Sequence, residues 1–300
     1  MHKTYKSVLS KKRNFMSFLR QFVKKDWVKK VDEDSLVLCD KGFVDPFFDE
    51  LESDIIYKVK IADTEVYFYV LLELQSTVDQ TMPFRVFYYI AAILRRVFKD
   101  EMKSEREKVG FKLPIVIPIV FYSGDGSWTP KMDFSEYQLG SEYFENFVKF
   151  NYILVDINKL SPEELFADLN AVSAIIAADK VRDTSEALIT TIEKVLKSKV
   201  WESDPDGLED FLFWVINTLK RASTSEMEIK KILDNIKKGD TGMAKYGIDY
   251  IIERHRADGF NEAALRLVEK GKSIQEVTDL LDLSDDQVEQ LKTAAAQTAM

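Results

Sequence analysis

An α/β fold, with helices covering both faces of a sheet and a helical region after it, is predicted by three observations. Two strand-like segments joined by a short turn precede a continuous apolar strand, helical segments separate these strands in the chain, and from about Ser161 onward the patterns are helical. The order is helix, the two strands of a hairpin, helix, strand, strand, then helices, with a further short strand ahead of the hairpin.

The first helix follows from Phe15, Phe18, Leu19, Phe22 and Val23, an apolar stripe at i, i+3, i+4, i+7 and i+8. A short strand around Ser35 to Leu38 is expected next. The hairpin then spans about Asp54 to Ile61 and Val66 to Ser76, with its turn near Ala62 to Glu65. MPFRVFYYIAAILRRVF, Met82 to Phe98, reads as a helix with Pro83 in the first turn, where a missing N–H does little harm. LPIVIPIVFYSG is continuously apolar, which suits a central strand covered on both faces, and Pro114 or Pro118 must sit at a strand start or an irregularity. YILVDI, Tyr152 to Ile157, supplies the last strand.

Amphipathic segments such as ADLNAVSAIIAADKV and LEDFLFWVINTLKRA build the region that follows. In the tail, Ser273 with Glu276 and Ser284 with Gln287 form two capping boxes, so three short helices are expected. Their spacing is that of a helix-turn-helix, but Asp285, Asp286 and Glu289 on the would-be recognition helix would repel phosphate, which favours packing or dimerisation. The expected organisation is a core domain over 1–160 including the basic N-terminal helix, a helical region over 161–255 and a short helical tail over 256–300.

Composition bounds the chemistry. At 300 residues and 46% hydrophobic, the chain can bury a sizeable core. Cys39 is the lone cysteine and His2 and His255 the only histidines, which excludes an internal disulfide, a cysteine-based zinc site and a histidine-rich metal site. No apolar run reads as a signal peptide or approaches the ~18 residues of a membrane span, so a cytoplasmic protein is expected. The net charge of −9 argues against general affinity for nucleic acid, yet residues 1–30 hold ten basic groups against one acid, Asp26. That segment is +9 and the rest of the chain −18. Such asymmetry fits either a polyanion-facing end or a solvated basic helix face.

The chemistry-bearing cluster lies on the hairpin. In VYFYVLLELQS, strand alternation puts Tyr67, Tyr69, Leu71, Glu73 and Gln75 on one face, so a carboxylate and an amide share the end of a strongly apolar strand. Burying an unpaired carboxylate costs several kcal/mol, so Glu73 requires a cation, a donor or water. With the turn near residue 63, Asp54 at the start of one strand becomes a neighbour of Glu73 at the end of the other. Two adjacent carboxylates repel unless a cation joins them, and hard divalent ions take such ligands together with water and phosphate oxygens. The alternative is a surface ion pair with Lys58 or Lys60.

The arrangement D-x18-E-x-Q is similar to the signature of the PD-(D/E)xK nuclease superfamily, with Gln75 where that signature has lysine. An amide can position water or phosphate but lacks the lysine's charge. Lys58, at an even offset from Asp54, is a candidate replacement cation. In order and spacing, SDIIYKV, LLELQS, MPFRVFYYI, LPIVIPIVFYSGDGSWT and YILVDI resemble the Rpn family of recombination-promoting nucleases and YhgA-like transposases over about residues 1–160. The tail GKSIQEVTDLLDLSDDQVEQLK is similar to that family's C-terminal end. Family members begin with His-Asp before an aromatic-rich helix, whereas here Lys3 follows His2.

The resemblance implies a restriction-endonuclease-like mixed sheet flanked by helices and a DNA endonuclease dependent on Mg²⁺ or Mn²⁺. Asp54 and Glu73 are the implied metal ligands, with Asp54, Glu73 and Gln75 as the catalytic set. Lys11, Lys12, Arg13, Lys58 and Arg85 are candidate DNA contacts; Arg85 and Tyr89 match family positions but could equally pack as an i,i+4 pair. A double-strand break from one metal site per chain would suit a homodimer. Two further readings stay open: a catalytically weak or inactive DNA-binding accessory protein, motivated by Gln75, and a protein-interaction scaffold.

Overall fold

The computed structural model describes residues 2–39, 55–61, 64–73, 78–101, 104, 107–124, 126–145, 147–182, 185–221, 267–268, 272–281, 288 and 291–292. The chain divides into two compact units, Met1–Ser225 and Glu226–Met300.

The first unit is built on a mixed sheet of β1 (Val31–Leu38), β2 (Ile55–Ile61), β3 (Thr64–Glu73), β4 (Ile115–Tyr122) and β5 (Ile153–Asp156), which lie side by side in sequence order. β1, β2 and β3 are antiparallel, and β3, β4 and β5 are parallel. The parallel step from β3 to β4 requires a crossover, supplied by α3 (Met82–Arg96). Pro118 sits inside β4, one residue before the pairing with β5 begins at Ile119, so it lies where that side of the strand is still an open edge. β1 is longer than the segment expected around Ser35 to Leu38 and carries a register shift between Asp32 and Val37.

Each sheet face has its own apolar cover. On one, α1 (His2–Leu9) and α2 (Lys12–Phe18) lay Phe15 on Tyr57, with ring centroids 4.2 Å apart, and Tyr5 and Phe18 on Phe121 at 4.9 and 5.9 Å. On the other, Val86, Tyr89 and Ile93 of α3 form a buried cluster with Ile56, Tyr67, Val120 and Tyr152. The apolar stripe expected over Phe15 to Val23 is present, but α2 ends at Phe18 and the chain continues as a π-helical turn, Leu19–Val23. Lys24 closes that turn at φ 49°, the left-handed conformation used to stop helices.

Among the described residues, α4 (Pro162–Ala167), α5 (Ala171–Asp179), α6 (Ser185–Leu196) and α7 (Pro205–Arg221) follow the sheet. α5 is buried at every residue and packs against α2, α4, α6 and α7, which accounts for AVSAIIAAD being apolar nearly all round. In the second unit, α8 (Ile274–Leu281) begins at the expected capping box, where Glu276 N–H donates to Ser273 Oγ at 3.2 Å and Ser273 N–H to Glu276 Oε2 at 2.8 Å. Val277 and Leu291 are buried there among Leu267, Val268, Ile274 and Val288. The second box, Ser284 with Gln287, lies outside the described residues. Among the described residues, no helix is long and apolar enough to cross a membrane.

Candidate active site

The hairpin is regular: Ile55 pairs with Val70, Lys58 with Tyr67 and Ile61 with Thr64, so the two strands meet in one continuous register. Asp54 precedes the first paired residue and, like Gln75, lies outside the described residues. Glu73 is the last residue of β3. Its Cα partner in β4 is Tyr122, and the partner of Tyr122 in β5 is Asp156. The carboxyl ends of the three parallel strands therefore finish at one level, the place where open α/β sheets bind ligands.

Several polar groups line that level. The hydroxyl of Tyr122 accepts from Gly126 N–H at 3.2 Å, and its ring packs edge-on against Trp128 with centroids 5.1 Å apart. Trp128 Nε1 donates to the hydroxyl of Tyr152 at 3.1 Å, which itself donates to the carbonyl of Lys131 at 2.9 Å. Tyr122 and Trp128 thus anchor the loop after β4. Asp156 is buried, and its Oδ1 accepts from Asn158 N–H at 3.0 Å, capping the short 3₁₀ turn Ile157–Lys159. Asn158 Nδ2 reaches back to the carbonyl of Gly124 at 2.7 Å, tying the end of β5 to the end of β4. Among the described residues, Ser123 Oγ, immediately after β4, is buried without a hydrogen-bond partner. Asp156 was not among the expected site residues, although an acid ending an apolar strand is the same signal that singled out Glu73.

At the N-terminal end of α3, Asp79 Oδ1 accepts from Thr81 N–H and Oγ1 at 2.8 and 2.6 Å, and Oδ2 from Arg85 Nη1 at 3.0 Å. Burial pushes this carboxyl up, but the donors from Thr81 and Arg85 outweigh it and hold the group below the usual carboxylate range. Arg85 is thus placed by Asp79, while Tyr89 is packed in the α3 cluster. Lys58 is half-buried on β2, its ammonium 5.7 Å from the centroid of the Tyr67 ring.

The basic N-terminal segment meets acids of the chain itself. Lys11 bonds to Asp210, and Arg13 bonds through Nη1 to Asp204 and through Nη2 to Asp210 Oδ2 at 3.3 Å, with Asp206 at 3.9 Å. Arg20 pairs with Glu33 and Lys24 with Glu164, whereas Lys12 is exposed. Asn14 Nδ2 also donates to Asp210, at 2.7 Å, inside the α2–α7 joint. Two of the three cations expected to meet DNA along this segment are therefore engaged by α7.

A family model described as "Putative transposase, YhgA-like" matches residues 2–204. Recombination-promoting nuclease RpnD of Escherichia coli O157:H7 is 34% identical over 126 residues, covering 42% of this chain and 46% of that protein. Inactive recombination-promoting nuclease-like protein RpnE of Escherichia coli K12 is 23% identical over 219 residues, covering 71% of this chain and 62% of that protein. A shorter K12 relative, described as "Putative inactive recombination-promoting nuclease-like protein YjiP", is 34% identical over 90 residues, 30% of this chain and 87% of its own length. The chain thus spans 46% and 62% of the length of the first two relatives. No solved structure matches it.

Proposed function

Since this chain belongs to the YhgA-like transposase family, whose relatives include proteins named recombination-promoting nucleases, we propose that it is a metal-dependent DNA endonuclease whose active site lies at the carboxyl end of β3. The observation that carries this reading is the level at which Glu73 ends β3, beside Tyr122 and Asp156 in the parallel half of the sheet. Asp54 and Glu73 are oxygen donors of the kind hard cations take, so they are the residues that would hold Mg²⁺ or Mn²⁺. A bound ion of this type supplies Lewis-acid polarisation of a scissile phosphate.

The protein's own contribution is positional. Gln75, an amide without a titrating proton, orients the attacking water. Arg85, fixed by Asp79 at the start of α3, and Lys58 on β2 offer positive charge to the DNA backbone without reading bases. The test is incubation of supercoiled plasmid with the full chain in Mg²⁺, Mn²⁺, Ca²⁺ or EDTA, beside Asp54→Ala and Glu73→Ala. Metal-dependent nicking or linearisation that both substitutions reduce at least a hundredfold is the expected result.

The second reading, a DNA-binding accessory protein without turnover, is favoured by Gln75 in the lysine position and by relatives named inactive. Folded wild-type protein that binds DNA, ignores Asp54→Ala and leaves plasmid intact in every metal would select it.

A further inference from the structure

We infer that the first turn of α7 is an intramolecular stand-in for the phosphate backbone, holding Arg13 until DNA displaces it; this rests on the DNA-binding reading above. The fork of Arg13 is used on both arms, with Nη1 on Asp204 and Nη2 on Asp210, which is how a guanidinium grips phosphate oxygens. Asp206 adds a third carboxylate within 3.9 Å. The three acids come from one short stretch, DPDGLED, and face the one N-terminal segment that carries a large positive excess.

The contact has a permanent half and a replaceable half. Asp210 is almost fully buried and is held by Asn14 and Lys11 as well as by Arg13, so it belongs to the joint between α2 and α7. Asp206 and Arg13 are instead open to solvent, at 84% and 41% side-chain exposure, where an incoming phosphate can compete. Asp204 lies between these extremes at 24% and caps α7 by accepting from Gly207 N–H at 3.0 Å. Its carboxylate occupies the space a Cβ at residue 207 would need, so a side chain there would have to push Asp204 aside.

The joint lies against the same hairpin that ends in the proposed active site. Tyr57 donates to the carbonyls of Leu9 and Ser10, beside Lys11, and pairs with Phe68 of β3. From Phe68 to Glu73 an extended strand covers ~17 Å, about five base pairs of duplex.

The experiment is DNA binding by the full chain, followed by fluorescence anisotropy of a labelled duplex in Ca²⁺ from 20 to 300 mM salt. Asp204→Asn/Asp206→Asn retains the cap, because asparagine accepts at an N-cap as aspartate does, while removing the two displaceable charges. The variant is expected to bind about tenfold more tightly at 100 mM salt, with a salt slope steeper by ~0.9, the increment for one more phosphate contact. Adding Arg13→Gln should abolish the gain, and the surface pair Glu142→Gln/Glu145→Gln, with the same change in net charge, should not reproduce it. Equal binding by wild type and Asp204→Asn/Asp206→Asn, or a gain that survives Arg13→Gln or is matched by the Glu142/Glu145 control, overturns the stand-in while leaving the nuclease reading intact. Absence of DNA binding by every variant at 20 mM salt overturns both.

Discussion

At the residue scale, Asp79 shows how one carboxylate can order the approach to the site. Its two oxygens take three donors, from Thr81 and Arg85, and these hold the carboxyl below its ordinary value of 3.8 in spite of burial. A folded-state pKa below the unfolded one means that the unfolded chain binds the proton more readily. The stabilisation is therefore fully present well above pH 3.8 and is lost as the pH falls through the folded pKa. Asp79→Asn keeps the shape but not the charge. Thermal melts of this variant should show a flatter loss of stability with falling pH below 3.8 than the wild type, and an unchanged acid limb would show that Arg85 and Thr81 do not engage the charged form.

At the element scale, the parts that were legible are those whose burial is one-sided or complete. The β2–β3 hairpin announced itself through alternation around a short turn, and β4 through a continuous apolar run rich in Val and Ile, as a central parallel strand needs on both faces. Glu73 could be singled out because it interrupts an apolar strand; the level it shares with Tyr122 and Asp156 depends on β4 and β5, whose register no local pattern states. β1 was only half legible, because Leu36 is its one buried residue and VDED offers no apolar face. The α2–α7 joint was not legible at all, since its partners are about 200 residues apart and each looks like an ordinary surface charge in its own segment. That joint predicts a stability effect. Asn14→Leu preserves the size of the buried side chain but removes a donor from Asp210, which should lower unfolding free energy by about 2 kcal/mol, the scale of a hydrogen bond to a charged group. Denaturant melts check this, with no change in m-value expected.

At the scale of the whole molecule, the charge asymmetry between the first 30 residues and the rest becomes a means of holding distant segments together. Lys11 and Arg13 meet α7, and Lys24 meets Glu164 of α4, so the positive segment is partly neutralised by acids drawn from the helical region. Apolar packing runs the same way: α5 is buried against α2 and α7, and Tyr5 of α1 donates to the buried Asp179 of α5 at 2.9 Å. Met1–Ser225 thus forms one compact unit in which α1 and α2 have the sheet on one side and α5 and α7 on the other. A fragment of residues 1–225 should therefore unfold in a single cooperative transition. One ending at residue 160 loses α4 to α7, strips cover from Tyr5 and Asn14 and leaves Lys11, Arg13 and Lys24 without their acids. It should be insoluble or bind a hydrophobic dye without a cooperative melt, because the lost apolar burial exceeds the few kcal/mol by which a domain is stable. A soluble 1–160 fragment with a sharp melt would mean that the sheet and its first two helices stand alone, and that the helices after Pro162 only decorate them.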